Sequence, residues 1–164
     1  MFALKSAPAA TPAERYSDLL QQAAALIEGE RDLTANAANL SSLLFHTLPD
    51  LNWAGFYWMK DGELVLGPFQ GKPACVRIAV GKGVCGTAAR DRRSIVVKDV
   101  HEFPGHIACD SASNSEVVVP IVAGGKVIGV LDLDSPLVNR FDESDARGLE
   151  AVVQAFVAGT DIEG

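Results

Sequence analysis

The chain has no Cys-x-x-Cys pair. Its three cysteines stand at positions 75, 85 and 109, without the close spacing that marks structural zinc sites and thioredoxin-type dithiols. It also has no recognisable export signal. Met1 to Thr11 is rich in alanine and proline, and no basic segment leads into an apolar one. The longest strongly apolar run, Val117 to Ala123, falls far short of the ~20 residues that span a bilayer as a helix. No dense basic run is present, and 21 acidic residues against 14 Lys+Arg give a net charge of −7, a field that repels phosphate backbones. These absences argue against nucleic acid and membrane as partners. An odd cysteine count in a chain without a leader fits no static disulfide framework; it fits thiols kept reduced between reactive events, in the cytoplasm.

What is present points to one globular domain. At 164 residues, with 48% hydrophobic and 21% charged content, the chain can bury one good core but hardly two. Residues 1–10 read as a flexible tail and 11–160 as the domain. Thr11-Pro12-Ala13-Glu14 has the composition of a helix start, with Thr11 as N-cap, Pro12 in the first turn and Glu14 closing a capping box. Tyr16, Leu19, Leu20, Ala23 and Ile27 follow at helical spacing. Asp32 begins a second helix through Leu33, Ala37, Leu40, Leu44 and Leu48. Asn52 to Trp58 and Glu63 to Phe69 flank a turn at Lys60-Asp61-Gly62 and predict an antiparallel hairpin. Val76 to Val80 and Ser94 to Val97 read as further strands, with a short helical stretch over 87–91 between them. The segment from Asp99 to Glu116 has no periodicity and is long for a plain connector, so it reads as a lid or binding loop. Val117 to Ala123 and Lys126 to Leu133 form a second hairpin about Gly124-Gly125, and Asp142 caps a closing helix. This order predicts an α+β domain with antiparallel strands and helices on the faces.

Several residue types in this pattern suggest redox chemistry. Cys109 lies in the long loop among small, polar neighbours that leave a thiol accessible, whereas an isolated cysteine is usually buried and structural. Cys85, between Gly83 and Gly86 at a helix start, is expected to have a thiol pKa lowered by the helix N-terminus. Cys75 opens a strand. Either of these two can resolve an oxidised Cys109 if the α-carbons come within about 7 Å. Asp132 and Asp134 share one face of a strand, and Glu116 enters the adjoining strand. Three carboxylates about one pocket suit a substrate ammonium, or leave one acid protonated by like-charge crowding. Trp53 and Tyr57 share a strand face and can wall a small apolar pocket. His101, His106 and Cys109 lack the ligand pairs of a tetrahedral metal site, so no metal is expected. Gly81-x-Gly83-x-x-Gly86 matches the dinucleotide fingerprint by letter only, without the βαβ unit that gives it meaning, so no cofactor is expected either.

Six blocks in order carry a family resemblance: NWAGFY (52–57), GKPAC (71–75), GKGVCG (81–86), FPGHIACDS (103–111), SEVVVPI (115–121) and GVLDLDSP (129–136). Together they resemble free methionine-(R)-sulfoxide reductases, which are stand-alone GAF-domain enzymes. The resemblance runs from about Thr11 to Phe156; Lys98 departs from it, where the family often has proline. It implies an antiparallel six-stranded sheet between helices, and free methionine-(R)-sulfoxide as substrate. It further implies Cys109 as nucleophile, Cys75 as first choice of resolving thiol, and Cys85 as a further or alternative one. Trp53 and Tyr57 would line the pocket, and Glu116, Asp132 and Asp134 would bind or protonate the substrate. The chemistry would pass through a sulfenic acid and an intramolecular disulfide, with thioredoxin or a similar dithiol regenerating the enzyme, and the resemblance suggests a homodimer. The rival readings are a non-catalytic GAF sensor of a small ligand and a thiol redox sensor.

Overall fold

The structure, a computed structural model, describes residue 2 and residues 11–106 and 111–162. Apart from Phe2, the expected tail over residues 1–10 lies outside them. Helix α1 (Pro12–Ile27) starts where its sequence says. The Thr11 hydroxyl accepts from the Glu14 N–H at 3.1 Å, and proline sits in the first turn. The reciprocal capping box occurs instead at α4 (Glu143–Ala158), where Asp142 and Asp145 cap one another's backbone. Helix α2 (Leu33–Thr47) is capped by Asp32 through the Ala35 N–H. Between α2 and α4 run β1 (Trp53–Lys60), β2 (Glu63–Gly71), β3 (Arg77–Ala79), α3 (Gly83–Asp91), β4 (Ile95–Val97), a single 3-10 turn over Val100–Glu102, β5 (Ser115–Ala123) and β6 (Lys126–Ser135).

The strands form one antiparallel sheet in the order β3-β2-β1-β6-β5-β4. Both hairpins turn on pairs of residues with positive φ, Asp61-Gly62 and Gly124-Gly125, whose twist matches that of the flanking strands. Alternation then sorts side chains onto two faces. Ala54 and Phe56 of β1, Val117, Val119 and Ile121 of β5, and Leu131 and Leu133 of β6 join the core with α1, α2 and α4. Trp53, Tyr57, Val118 and Val130 face the other way, into a second cluster with α3. The first cluster is a sealed hydrophobic layer. The second is interrupted by acids and forms the floor of the site.

Two expectations shift. Helix α3 begins at Gly83 rather than near Thr87, because glycines that read as breakers are here a packing device: a Cβ on Gly86 would lie 2.4 Å from the Ala79 carbonyl oxygen. The segment before Glu116 is also not wholly irregular, since Asp99 caps the 3-10 turn through the His101 N–H.

Helix α1 seats on α4 through a similar device. The Tyr16 ring lies over Gly148, where a Cβ would come within 2.3 Å of ring carbon Cγ, and the Tyr16 hydroxyl donates to buried Asp145 at 2.7 Å. Glycine to alanine in a helix normally gains about 1 kcal/mol. At this position the sign reverses. Gly148→Ala is expected to destabilise the protein by roughly 1–3 kcal/mol through overpacking, read as a lower midpoint in urea unfolding; an unchanged or higher midpoint would contradict the contact.

Candidate functional site

The strand register assembles the site. Trp53 on β1 stands opposite Asp134 on β6, which stands opposite Glu116 on β5. One step along, Gly55 faces Asp132 and Asp132 faces Val118. The three acids and Trp53 therefore share one face of adjacent central strands, and Tyr57 lies four positions beyond Trp53 on the same face. Helix α3, the residues before β3 and the segment around His106 and Ser113 close over them, leaving a cavity of about 50 Å³. Trp53, Tyr57, Cys85, Glu116, Asp132 and Asp134 all line it.

The aromatics do more than wall the cavity. Trp53 stacks on Phe69 with ring centroids 5.1 Å apart, and its indole Nε1 donates to the Lys72 carbonyl at 3.1 Å. The Tyr57 hydroxyl donates to the Cys75 carbonyl at 2.9 Å. Both polar tips thus hold the stretch between β2 and β3 that carries Cys75. Cys75 precedes β3 instead of opening it, and it is disulfide-bonded. Cys85 is a free, buried thiol. Cys109 lies outside the described residues.

The acids are costly to ionise. Glu116 and Asp132 are 6% and 5% exposed. Burial pushes both carboxyl groups well above the ordinary range, reinforced at Glu116 by the charge of Asp134 and at Asp132 by the charge of Glu116. Asp132 Oδ1 is buried without a hydrogen-bond partner. The expected lowering of the Cys85 pKa is reversed: burial raises it well above normal, and the nearby Asp132, Glu116 and Asp134 raise it further. Desolvation and three acids outweigh the partial charge of a helix end, which amounts to about half a unit charge.

Two basic side chains enter the site that sequence reasoning did not assign to it. His106, weighed in the sequence only as a metal ligand, has its Nε2 3.6 Å from Glu116 Oε1, and burial lowers its pKa. Lys82 also lines the cavity, beside the first residues of α3, Gly83 and Val84. The only signal for either was position, His106 within FPGHIACDS and Lys82 within GKGVCG. His101 does not join them. It is exposed and pairs with Asp99 at 2.9 Å. Chemically, the site offers an acid cluster for a small cation, protonated carboxyl groups as proton donors, an apolar wall, and the N-terminus of α3 for an anionic group.

The GAF domain family matches residues 34–157 of the chain. A free methionine-R-sulfoxide reductase of Escherichia coli strain K12 is 54% identical over 85% of each chain, and Protein YtsP of Bacillus subtilis is 60% identical over 82% of this chain and 83% of its own. Among solved structures, a free methionine-R-sulfoxide reductase from Neisseria meningitidis, in complex with its substrate, superposes with a TM-score of 0.92 at 41% identity, covering 97% of this chain and 95% of its own.

The raised carboxyl pKa values set a pH dependence. As pH climbs through the ordinary carboxylate range the unfolded chain ionises first while the folded chain keeps its protons, so stability falls with rising pH until the folded acids also ionise. Glu116→Gln removes part of that slope. In ligand-free protein held in one redox state, the variant is expected to be more stable than wild type at neutral pH, by roughly 1–2 kcal/mol or a few degrees in Tm, and to converge with it near pH 4. Parallel Tm–pH curves would show that burial of Glu116 costs nothing.

Proposed function

The chain belongs to the GAF-domain family and, within it, to the free methionine-R-sulfoxide reductases; on that premise we propose that it reduces free methionine-(R)-sulfoxide to methionine through Cys109 and Cys75, with thioredoxin or a similar dithiol restoring the thiols. The observation that carries this reading is the convergence of Glu116, Asp132 and Asp134 beneath Trp53 and Tyr57 in one cavity. A zwitterionic amino acid suits it. The α-ammonium meets the acid cluster, where Asp132 Oδ1 has no partner; the α-carboxylate meets the first turn of α3 beside Lys82; and the methyl-sulfoxide end lies against the aromatic wall.

The proposed reaction balances. The Cys109 thiolate attacks the sulfoxide sulfur, and Glu116 or Asp132, kept protonated by burial and mutual crowding, gives its proton to the sulfoxide oxygen. The S–O bond breaks as oxygen passes to Cys109, so the thiolate, sulfoxide and proton become a sulfenic acid and methionine. The Cys75 thiol condenses with the sulfenic acid, releasing water and forming a disulfide, which an external dithiol opens by exchange. That Cys75 is disulfide-bonded and Cys85 free favours Cys75 as the resolving thiol. Carboxylates near a thiol oppose its ionisation. The bound ammonium removes that opposition, so the thiolate forms when substrate is present.

Methionine release from the resolved R-sulfoxide, with dithiothreitol as reductant, tests the reading. Cys109→Ser is expected to lower kcat/KM by at least about a thousandfold, because a serine hydroxyl cannot attack at neutral pH. Cys75→Ser should release methionine in a single turnover and then fail to recycle, while Cys85→Ser recycles; activity near wild type in Cys109→Ser, or failed recycling in Cys85→Ser alone, would overturn these assignments. Specificity gives a separate check. N-acetylated sulfoxide has no ammonium to pair with the acids, so its kcat/KM should fall by roughly a hundredfold or more. Equal efficiency on both substrates would leave the acids no part in reading the amino group.

A further inference from the structure

We propose that Cys85, Glu116 and Asp132 form a binding site for a thiophilic divalent cation of the zinc class, on the floor of the same cavity, where the ion and the substrate exclude one another. Among the described residues these three offer one sulfur and two carboxylate oxygens that all lie within 4.8 Å of one another, every one of them on a buried residue. A tetrahedral centre with bonds of 2.0–2.3 Å places its ligands ~3.5 Å apart. Without an ion the three atoms lie within 4.8 Å of one another, so binding would draw the side chains together.

The unpartnered Asp132 Oδ1 points to a ligand in its own right, since a buried carboxylate oxygen with no donor is expensive and needs a cation or a hydrogen bond to complete it. A substrate ammonium supplies that to the carboxylates, but it takes nothing from the Cys85 thiol in the same cluster. One sulfur with two carboxylate oxygens suits zinc or cobalt(II). Magnesium and calcium want oxygen alone, and copper(I) wants more sulfur. Binding exchanges the Cys85 thiol proton, and the protons that Glu116 and Asp132 hold in the empty site, for the metal, since coordinated thiols and carboxylates are deprotonated, and a water would complete the coordination.

Cobalt(II) is the probe, added to the full chain after reduction and removal of the reductant. The expected result is one ion per chain with a thiolate-to-cobalt charge-transfer absorption, displaced by zinc. The absorption should vanish in Cys85→Ser and persist in the double variant Cys75→Ser, Cys109→Ser, which excludes the other two thiols as ligands. Asp132→Asn keeps the sulfur and should weaken cobalt by at least about tenfold; it serves as the measurement if Cys85→Ser fails to fold. No absorption in the wild type, its survival in Cys85→Ser, its loss in the double variant, or an unchanged Kd in Asp132→Asn would each overturn the site. Binding is read without turnover, so this result stands or falls separately from the reductase reading.

Discussion

The antiparallel register of β1, β6 and β5 is the constraint on which the site rests. It puts Trp53, Asp134 and Glu116 in one row and Asp132 beside it. Side chains alternate with period two, so a slip of one residue would turn the acids into the layer beneath α1, α2 and α4 and turn Leu131, Leu133 and Val117 out into the cavity. The acids therefore have one tolerable register. The two positive-φ turns at 61–62 and 124–125, which lie at the same end of the sheet, and the sealed apolar face enforce it together. Packing on one side of the sheet holds the chemistry on the other.

That arrangement has a cost, which falls on the floor of the cavity. Burying Glu116 and Asp132 within reach of each other, of Asp134 and of Cys85 disfavours every charged form. A purely structural cluster of this kind would be expected to carry a fixed counter-ion. Here the basic group paired with Glu116 is His106, at 3.6 Å, and its own burial lowers its affinity for a proton. The empty site is thus held close to neutral by protons, and a ligand that brings a positive charge changes the protonation of several groups together.

Much of this was legible along the chain, and the reasons differ by element. Helices α1, α2 and α4 were readable because their caps and apolar spacing are local, and the hairpins because their turn residues are. The pairing of Asp132 with Asp134 followed from strand alternation, and the sharing of one pocket with Glu116 from the hairpin. Helix α3 was misread at its start because Gly83 and Gly86 break a helix in isolation, whereas tertiary contact with Ala79 turns Gly86 into a requirement. The Cys85 thiol was misjudged for the same reason. Its position at a helix end is a local fact, while the acids above it come from strands more than thirty residues away in sequence. His106 and Lys82 could be placed in the site only by folding the chain. The roles of the cysteines came from family resemblance, since spacing alone left Cys75 and Cys85 as alternatives.

Trp53 and Tyr57 each face two ways, with their rings on the cavity and their polar tips bonded to the backbone at Lys72 and Cys75. The width of the pocket and the location of the Cys75 sulfur are therefore not independent variables. A lineage that widened the pocket by trimming either ring would at the same time let go of the loop that carries Cys75. Selection for a larger pocket would have to find another way to hold Cys75 as well. That linkage gives the two aromatics a reason to stay fixed that goes beyond what they touch in a substrate.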